Sequence, residues 1–146
     1  KGKSLTFSFL LLPEIAIEMM GILPLLAGVS IVQGVHNSIN ILSGLKWPND
    51  IMISGKKMGG ILIESRTGEQ GLGVVVGIGL NINETEDDIP KDLLDRATSL
   101  NIDCGKIFCR CSVEPIAISI SESFLSISCH FFVAALKINE ADVSSQ

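Results

Sequence analysis

Between Leu45 and Asn81 the sequence holds three strand-like apolar runs, Leu45 to Ile53, Met58 to Glu64 and Leu72 to Asn81, separated only by Ser54-Gly55-Lys56-Lys57 and by Arg66 to Gly71. Connectors this short, built of Gly and polar residues, join neighbouring strands antiparallel. A meander of this kind needs apolar cover on one face. From Pro24 to about Leu42, apolar residues at Leu25, Val29, Val32 and Val35 or His36 recur at helical spacing, with Pro24 allowed in a first turn and Ser43-Gly44 supplying the stop. Thr6 to Leu12, closed by Pro13, reads as a further buried strand. A strand so near the start needs a partner, which suggests that the chain begins inside a domain. The expected class is α+β: a mostly antiparallel sheet with helices on one face.

Composition narrows the function classes. The chain has 146 residues, 47% of them hydrophobic, which suits one domain with one core. A net charge of -5 argues against a general nucleic-acid binder, which concentrates Lys and Arg against phosphates. Mean hydropathy is +0.46, so a membrane span has to be weighed. The best candidate, Ile15 to Val32, contains Glu18, Gly21, Pro24 and Gly28, and reads better as buried or amphipathic helix. No secretory leader is visible, and a cytoplasmic location is expected. The Asn83-Glu84-Thr85 sequon would matter only in a secreted chain. Cys104, Cys109, Cys111 and Cys129 are confined to the last third without a CxxC pair, and are expected as reduced thiols. With His130 they fit no ordinary zinc spacing. After Asn83 the chain reads as an acidic loop from Glu84 to Asp88, then a short helix from Lys91 to Leu100. A helical tail is expected with Ile116, Ile120, Phe124, Ile127, Phe131 and Ala134 on one stripe, although Ile116, Ile118 and Ile120 also alternate with serines.

Several residues could carry chemistry. Trp47-Pro48-Asn49-Asp50 interrupts a strand with a residue lacking a backbone donor and two that make side-chain turns. The bland reading is an edge bulge with Trp47 in the core and Asp50 bonded to backbone. Lys57 precedes Gly59-Gly60, where missing side chains let a ligand approach the backbone. An ammonium fixed there would stabilise charge building on a reacting phosphate, whereas an isolated lysine of this kind is more often a solvated turn residue. Lys56 beside it reads as solvated. Gly77-Ile78-Gly79-Leu80-Asn81-Ile82-Asn83 lacks both the third glycine of a dinucleotide fingerprint and a GKS or GKT step, so neither a Rossmann nor a P-loop site is indicated. Asn81 offers donors and an acceptor together, as recognition of a nucleobase or ribose requires.

The order Lys46-Trp47-Pro48-Asn49-Asp50, then Lys57 with Gly59 and Gly60, then GIGLNIN, resembles the biotin protein ligases over about residues 2 to 103. That resemblance implies a class II aminoacyl-tRNA synthetase-like biotin/lipoate ligase fold and a biotin–[acetyl-CoA-carboxylase] ligase activity. Such enzymes use ATP and Mg2+ to make biotinyl-AMP, then pass biotin to a lysine of a biotin carboxyl carrier protein. By position in the motif, Lys57 matches the lysine that contacts the biotin carboxylate and the phosphate. Asn81 matches the residue near adenine, and Asn49 and Asp50 a pair proposed to position the acceptor lysine. Gly59, Gly60, Gly77 and Gly79 would line the pocket, with Ile61 and Trp47 beside them. The family's glycine- and arginine-rich loop, its adenine-stacking tryptophan and a helix-turn-helix are absent from these 146 residues. The expectation is therefore a single partial catalytic domain, residues 1 to 146, that binds biotin and ATP poorly alone. Homodimerisation through the sheet is compatible with the resemblance; nucleic acid and membrane are not expected partners. Two rival readings are a lipoate ligase or octanoyl transferase, and a non-catalytic interaction module.

Overall fold

The computed structural model describes residues 3–12, 17–68, 71–125, 131–132 and 136–138. Its strands are β1 (Ser4–Leu11), β2 (Gly44–Lys46), β3 (Asp50–Ile53), β4 (Lys56–Gly68), β5 (Gly71–Asn81), β6 (Phe131–Phe132) and β7 (Leu136–Ile138). They form one sheet in the order β2-β3-β4-β5-β1-β6, with β7 also pairing β1, and every described pairing is antiparallel. The first strand finds its partner in β5, from Ser4 opposite Asn81 to Leu11 opposite Val74. Ser54 (φ 48°) and Gly55 (φ 79°) make the β3–β4 turn, and two successive positive φ values are what a two-residue hairpin needs to match strand twist.

The alternation of β1 and β5 divides the sheet into two faces. Leu5, Phe7, Phe9 and Leu11, with Val74, Val76, Ile78 and Leu80, are buried under the helices. Each such aliphatic side chain contributes about 1.5–3 kcal/mol of burial. Ser4, Thr6 and Ser8 look the other way, opposite Asn81, Gly79 and Gly77.

Helix α1 (Leu23–Ile39) differs from expectation in two respects. It stops at Asn40, whose left-handed conformation lets its N–H bond the His36 carbonyl, before Ser43-Gly44 is reached. Its buried stripe is Leu23, Ala27, Ile31 and Val35, while Leu25 and Val29 are 38% and 48% exposed. The helix is apolar nearly all round, so spacing did not select the face; small residues did. A Cβ at Gly34 would stand 3.3 Å from the Ile116 backbone, and one at Gly28 would meet Leu45 at 2.5 Å. Met20 to Ile39 is long and apolar enough to cross a membrane, yet here this stripe lies against the sheet and helix α3.

The second half departs further. Lys91–Leu93 is a single 3-10 turn, and helix α2 (Leu100–Cys104) begins only where Ser99 caps it, its hydroxyl accepting from Ile102 N–H. Helix α3 (Arg110–Leu125) buries Val113, Ile116, Ala117 and Ile120. The expected tail helix is corrected beyond it: Phe131 lies in strand β6, paired to β1, while Ile127 and Ala134 fall outside the described residues. Cys109 and Cys111 are joined as a disulfide, against the expectation of reduced thiols. Their Cα atoms stand 5.4 Å apart, within bonding reach. Cys104 is free, and burial pushes its thiol up, with Asp103 adding to the effect. Cys129 and His130 lie outside the described residues.

Candidate active site

Gly59 and Ile61 belong to the core face of β4, so regular alternation would send Lys57 into the core as well. A register shift between Ile51 and Met52 prevents this. Ile51 pairs with Gly59 and Met52 with Lys57, leaving Met58 as the extra residue of a β-bulge. Met58 is fully buried, and the bulge turns Lys57 to the opposite face, where its exposed side chain lies over Gly60. There Lys57 Nζ stands 2.5 Å from Asp50 Oδ1. These side chains are 49% and 26% exposed, so the pair contributes at most about 1 kcal/mol to stability. It fixes a cation and a carboxylate on one side of a shallow cleft.

That cleft, about 260 Å³, is lined by Ser4, Thr6, Lys57, Gly59, Gly60, Gly79, Leu80, Asn81 and Ala97. Its floor is bare backbone. Gly60 and Gly79 are cross-strand partners, and Gly77 continues the strip one pair away, opposite Ser8. A Cβ at Gly79 would meet nothing within 4 Å, so it is this glycine's emptiness that faces the cleft. Gly59 is different: its Cβ would strike the Gly79 carbonyl at 2.5 Å and Leu80 Cδ2 at 2.6 Å. Its lack of a side chain serves strand packing, while its backbone borders the cleft.

Other expected site residues fall variously. Asn49 Nδ2 donates to the Ile61 carbonyl at 2.9 Å, and Ile61 N–H donates to the Asn49 carbonyl at 3.0 Å. Asn49 thus ties the Trp47–Asn49 turn, with its cis Trp47–Pro48 bond, onto β4 beside the cleft. Ile61 offers only this backbone; its side chain is in the core and does not line the cleft. Trp47 is 76% exposed and lies outside the cleft lining, contrary to the reading that put it in the core. Asn81, one strand over from Lys57, donates from Nδ2 to the Thr98 carbonyl at 3.0 Å, which leaves Oδ1 to accept.

Sequence reasoning missed the segment that borders both Lys57 and Asn81. The Lys57 N–H donates to the Arg96 carbonyl (2.8 Å), and the Thr98 N–H to the Lys57 carbonyl (2.9 Å), so residues 96–98 run parallel beside Lys57. Ser99 Oγ donates to the Glu84 carbonyl at 2.6 Å, anchoring the segment; a serine ahead of Leu100-Asn101-Ile102-Asp103 was the available capping signal. Asn83 brackets Phe108, donating to its carbonyl and accepting from its N–H, both at 2.9 Å. Lys56, expected to be solvated, donates to the Leu94 carbonyl at 2.6 Å.

The arrangement is a flat backbone floor bordered by an ammonium and a carboxylate on the β3–β4 side and an amide acceptor on the β5 side. Comparisons with known proteins agree with it. The sequence model described as the Biotin/lipoate A/B protein ligase family matches residues 1–81. The bifunctional ligase/repressor BirA of Bacillus subtilis is 40% identical over 114 residues, which are 77% of this chain and 35% of that protein. The biotin–[acetyl-CoA-carboxylase] ligase of Mycobacterium tuberculosis is 35% identical over 95 residues, 63% of this chain and 32% of that one. Among solved structures, the Aquifex aeolicus biotin protein ligase in complex with biotin and ATP superposes with a TM-score of 0.72 at 35% identity, covering 86% of this chain and 52% of that one. The chain thus spans about a third of these curated relatives and about half of the solved one. On the extent of the match, the shared sheet and the placement of its motifs, the chain belongs to the biotin/lipoate A/B protein ligase family.

Proposed function

We propose that this cleft is the central part of a biotin protein ligase site, which makes biotinyl-AMP and passes biotin to a lysine of a biotin carboxyl carrier protein in the cytoplasm. The observation that carries the reading is the bulge that aims Lys57 over the glycine floor. The relatives named as biotin ligases, and the Aquifex aeolicus complex with biotin and ATP, support this choice of substrates.

In the first step the biotin carboxylate attacks the α-phosphorus of ATP, and pyrophosphate leaves as the bond to the bridging oxygen breaks. Lys57 would hold the carboxylate against the phosphate and offset the charge that develops, giving up no proton. Gly60 and Gly79 let the planar parts of the ligand lie on backbone. Asn81 Oδ1 would accept from a donor on the nucleobase. In the second step an amine attacks the anhydride carbonyl, AMP leaves, and Asp50, beside Lys57, would orient the amine and take its proton. Among the described residues no group of three His, Cys, Asp or Glu could hold a metal. The magnesium that ATP chemistry needs would be held chiefly by the nucleotide phosphates, and no step here runs through it.

Titration with biotinyl-AMP, followed by amide resonances, tests the reading at any affinity. Shifts centred on Gly60, Gly79 and Asn81, with biotin-dependent ATP–pyrophosphate exchange lost in Lys57→Ala, are expected. Preferential response to lipoate would favour the lipoate ligase, and no response to either compound would leave only an interaction module.

A further inference from the structure

Lys56 is part-buried, and its ammonium donates to the carbonyl of Leu94 at 2.6 Å, a charge-assisted bond spanning 38 residues of sequence. Leu94 opens a strap that runs to Thr98. The strap begins in a tight turn, Arg96 N–H on the Leu93 carbonyl at 3.0 Å and Ala97 N–H on the same carbonyl at 2.7 Å. It then touches both Lys57 and Asn81 at the border of the cleft. The Arg96 carbonyl and Thr98 N–H bracket Lys57, the Thr98 carbonyl takes Asn81 Nδ2, and Ala97 forms part of the cleft wall. At the far end of the strap, fully buried Ser99 is tied to the Glu84 carbonyl. At the near end, the side-chain bond from Lys56 to Leu94 ties the strap to β4 ahead of the two backbone bonds that Lys57 makes with Arg96 and Thr98.

We propose that Lys56 is a positioning residue which, through the strap of residues 94–98, sets the placement of Lys57 and the orientation of the Asn81 amide together. The roles of Lys57 and Asn81 rest on the function proposed above; the mechanical link rests on the contacts alone. With the tether in place, Asn81 Nδ2 is engaged by Thr98 and its oxygen is presented to the ligand. Without it, the Leu94 end of the strap is held only through the Arg96 and Thr98 bonds to Lys57, and those bonds and the Asn81–Thr98 bond open more often. Two side chains with separate tasks are thus steadied by one bond made by their neighbour.

The test compares wild type with Lys56→Met, which keeps the aliphatic stem, and Lys56→Arg, which can donate to the same carbonyl. Amide hydrogen exchange is read first. In Lys56→Met the Lys57 and Thr98 amides should exchange about tenfold faster, a factor equivalent to ~1.4 kcal/mol of lost protection. The side-chain amide signal of Asn81 should move, while amides of β1 and α3 stay unchanged, and Lys56→Arg should restore the wild-type pattern. Biotin-dependent ATP–pyrophosphate exchange is read second. KM for ATP should rise roughly tenfold in Lys56→Met with a smaller fall in kcat, as expected when a binding contact is misplaced. Unchanged protection at Lys57 and Thr98, uniform acceleration across the sheet, or no rescue by arginine would overturn the proposal. Absence of pyrophosphate exchange in the wild type would count against the ligase reading only, because the amide measurement still decides the role of Lys56.

Discussion

Replacing Gly79 and Gly59, glycines on adjacent strands, should produce opposite results, and the pair tests the layout of the site. A Cβ at Gly79 enters open space, with nothing within 4 Å. A glycine inside a strand costs ~0.5–1 kcal/mol relative to alanine, so Gly79→Val should leave the fold as stable or slightly more so. At about 2–4 °C per kcal/mol for a chain of this size, the melting temperature should hold or rise by ~1–4 °C. The same side chain occupies the floor of a cleft of about 260 Å³. Binding of biotinyl-AMP should weaken by at least tenfold, since even one displaced contact of ~1.4 kcal/mol has that effect. Gly59→Ala is the converse case. Its Cβ would lie 2.5 Å from the Gly79 carbonyl oxygen and 3.2 Å from Leu80 Cα, both backbone atoms of the neighbouring strand. The strands must separate, and overpacking of this kind costs about 1–3 kcal/mol. A fall of roughly 2–12 °C is expected. Thermal melts followed by circular dichroism, with ligand titration by NMR, read both quantities. A Gly79→Val protein that binds like wild type, or a Gly59→Ala protein that melts like it, would show that the two glycines have been assigned to the wrong faces.

Three further outcomes are expected. Asp50→Ala should slow transfer to the acceptor lysine far more than it slows adenylation, and equal losses in the two half-reactions would remove Asp50 from the transfer step. Asp88 is held well below the usual carboxylate range, first by the Lys3 ammonium at 2.5 Å and then by the Thr85 hydroxyl and N–H. A carboxylate whose folded value is depressed contributes stability above its unfolded value, and that contribution is lost as pH falls from about 4 toward the folded value. A carbon-detected titration should find the Asp88 midpoint depressed in wild type and moved upward in Lys3→Ala. Ser99→Ala removes the cap of α2 and the bond to the Glu84 carbonyl, and denaturant unfolding should show a loss of ~1–3 kcal/mol.

The β3–β4 hairpin was legible because its signal is local, whereas Leu45 to Ile53, read as one strand, is two strands folded back at the Trp47–Asn49 turn. Ser54-Gly55 can make a two-residue turn whatever surrounds it, and the runs on either side then pair antiparallel. The buried face of α1 was not legible, since Leu25 and Val29 have the same spacing and the same apolar character as the residues that face inward. What decides is the approach of α3 to Gly34 and of Leu45 to Gly28, contacts between segments far apart in the chain. The stretch from Lys91 to Thr98 failed as a helix for the same reason. Its backbone groups are claimed by Lys57, Lys56 and Asn81, and these outcompete the bonds that a helix would form within itself.

The site shows where motif and geometry part. Its composition could be read: lysine, two glycines, and an asparagine after a glycine-rich strand. The face each residue takes could not, because strand parity assigns Lys57 to the side of Gly59 and Ile61, the core. The single extra residue Met58 reverses that assignment, filling the core itself and releasing Lys57 toward Asp50. The same parity, undisturbed, places Gly60 and Gly79 on the cleft face. One buried methionine therefore brings the cation and the bare floor to the same side of the sheet. Lys56, whose own side chain bonds Leu94, adds a third bond between β4 and the strap that contacts both Lys57 and Asn81.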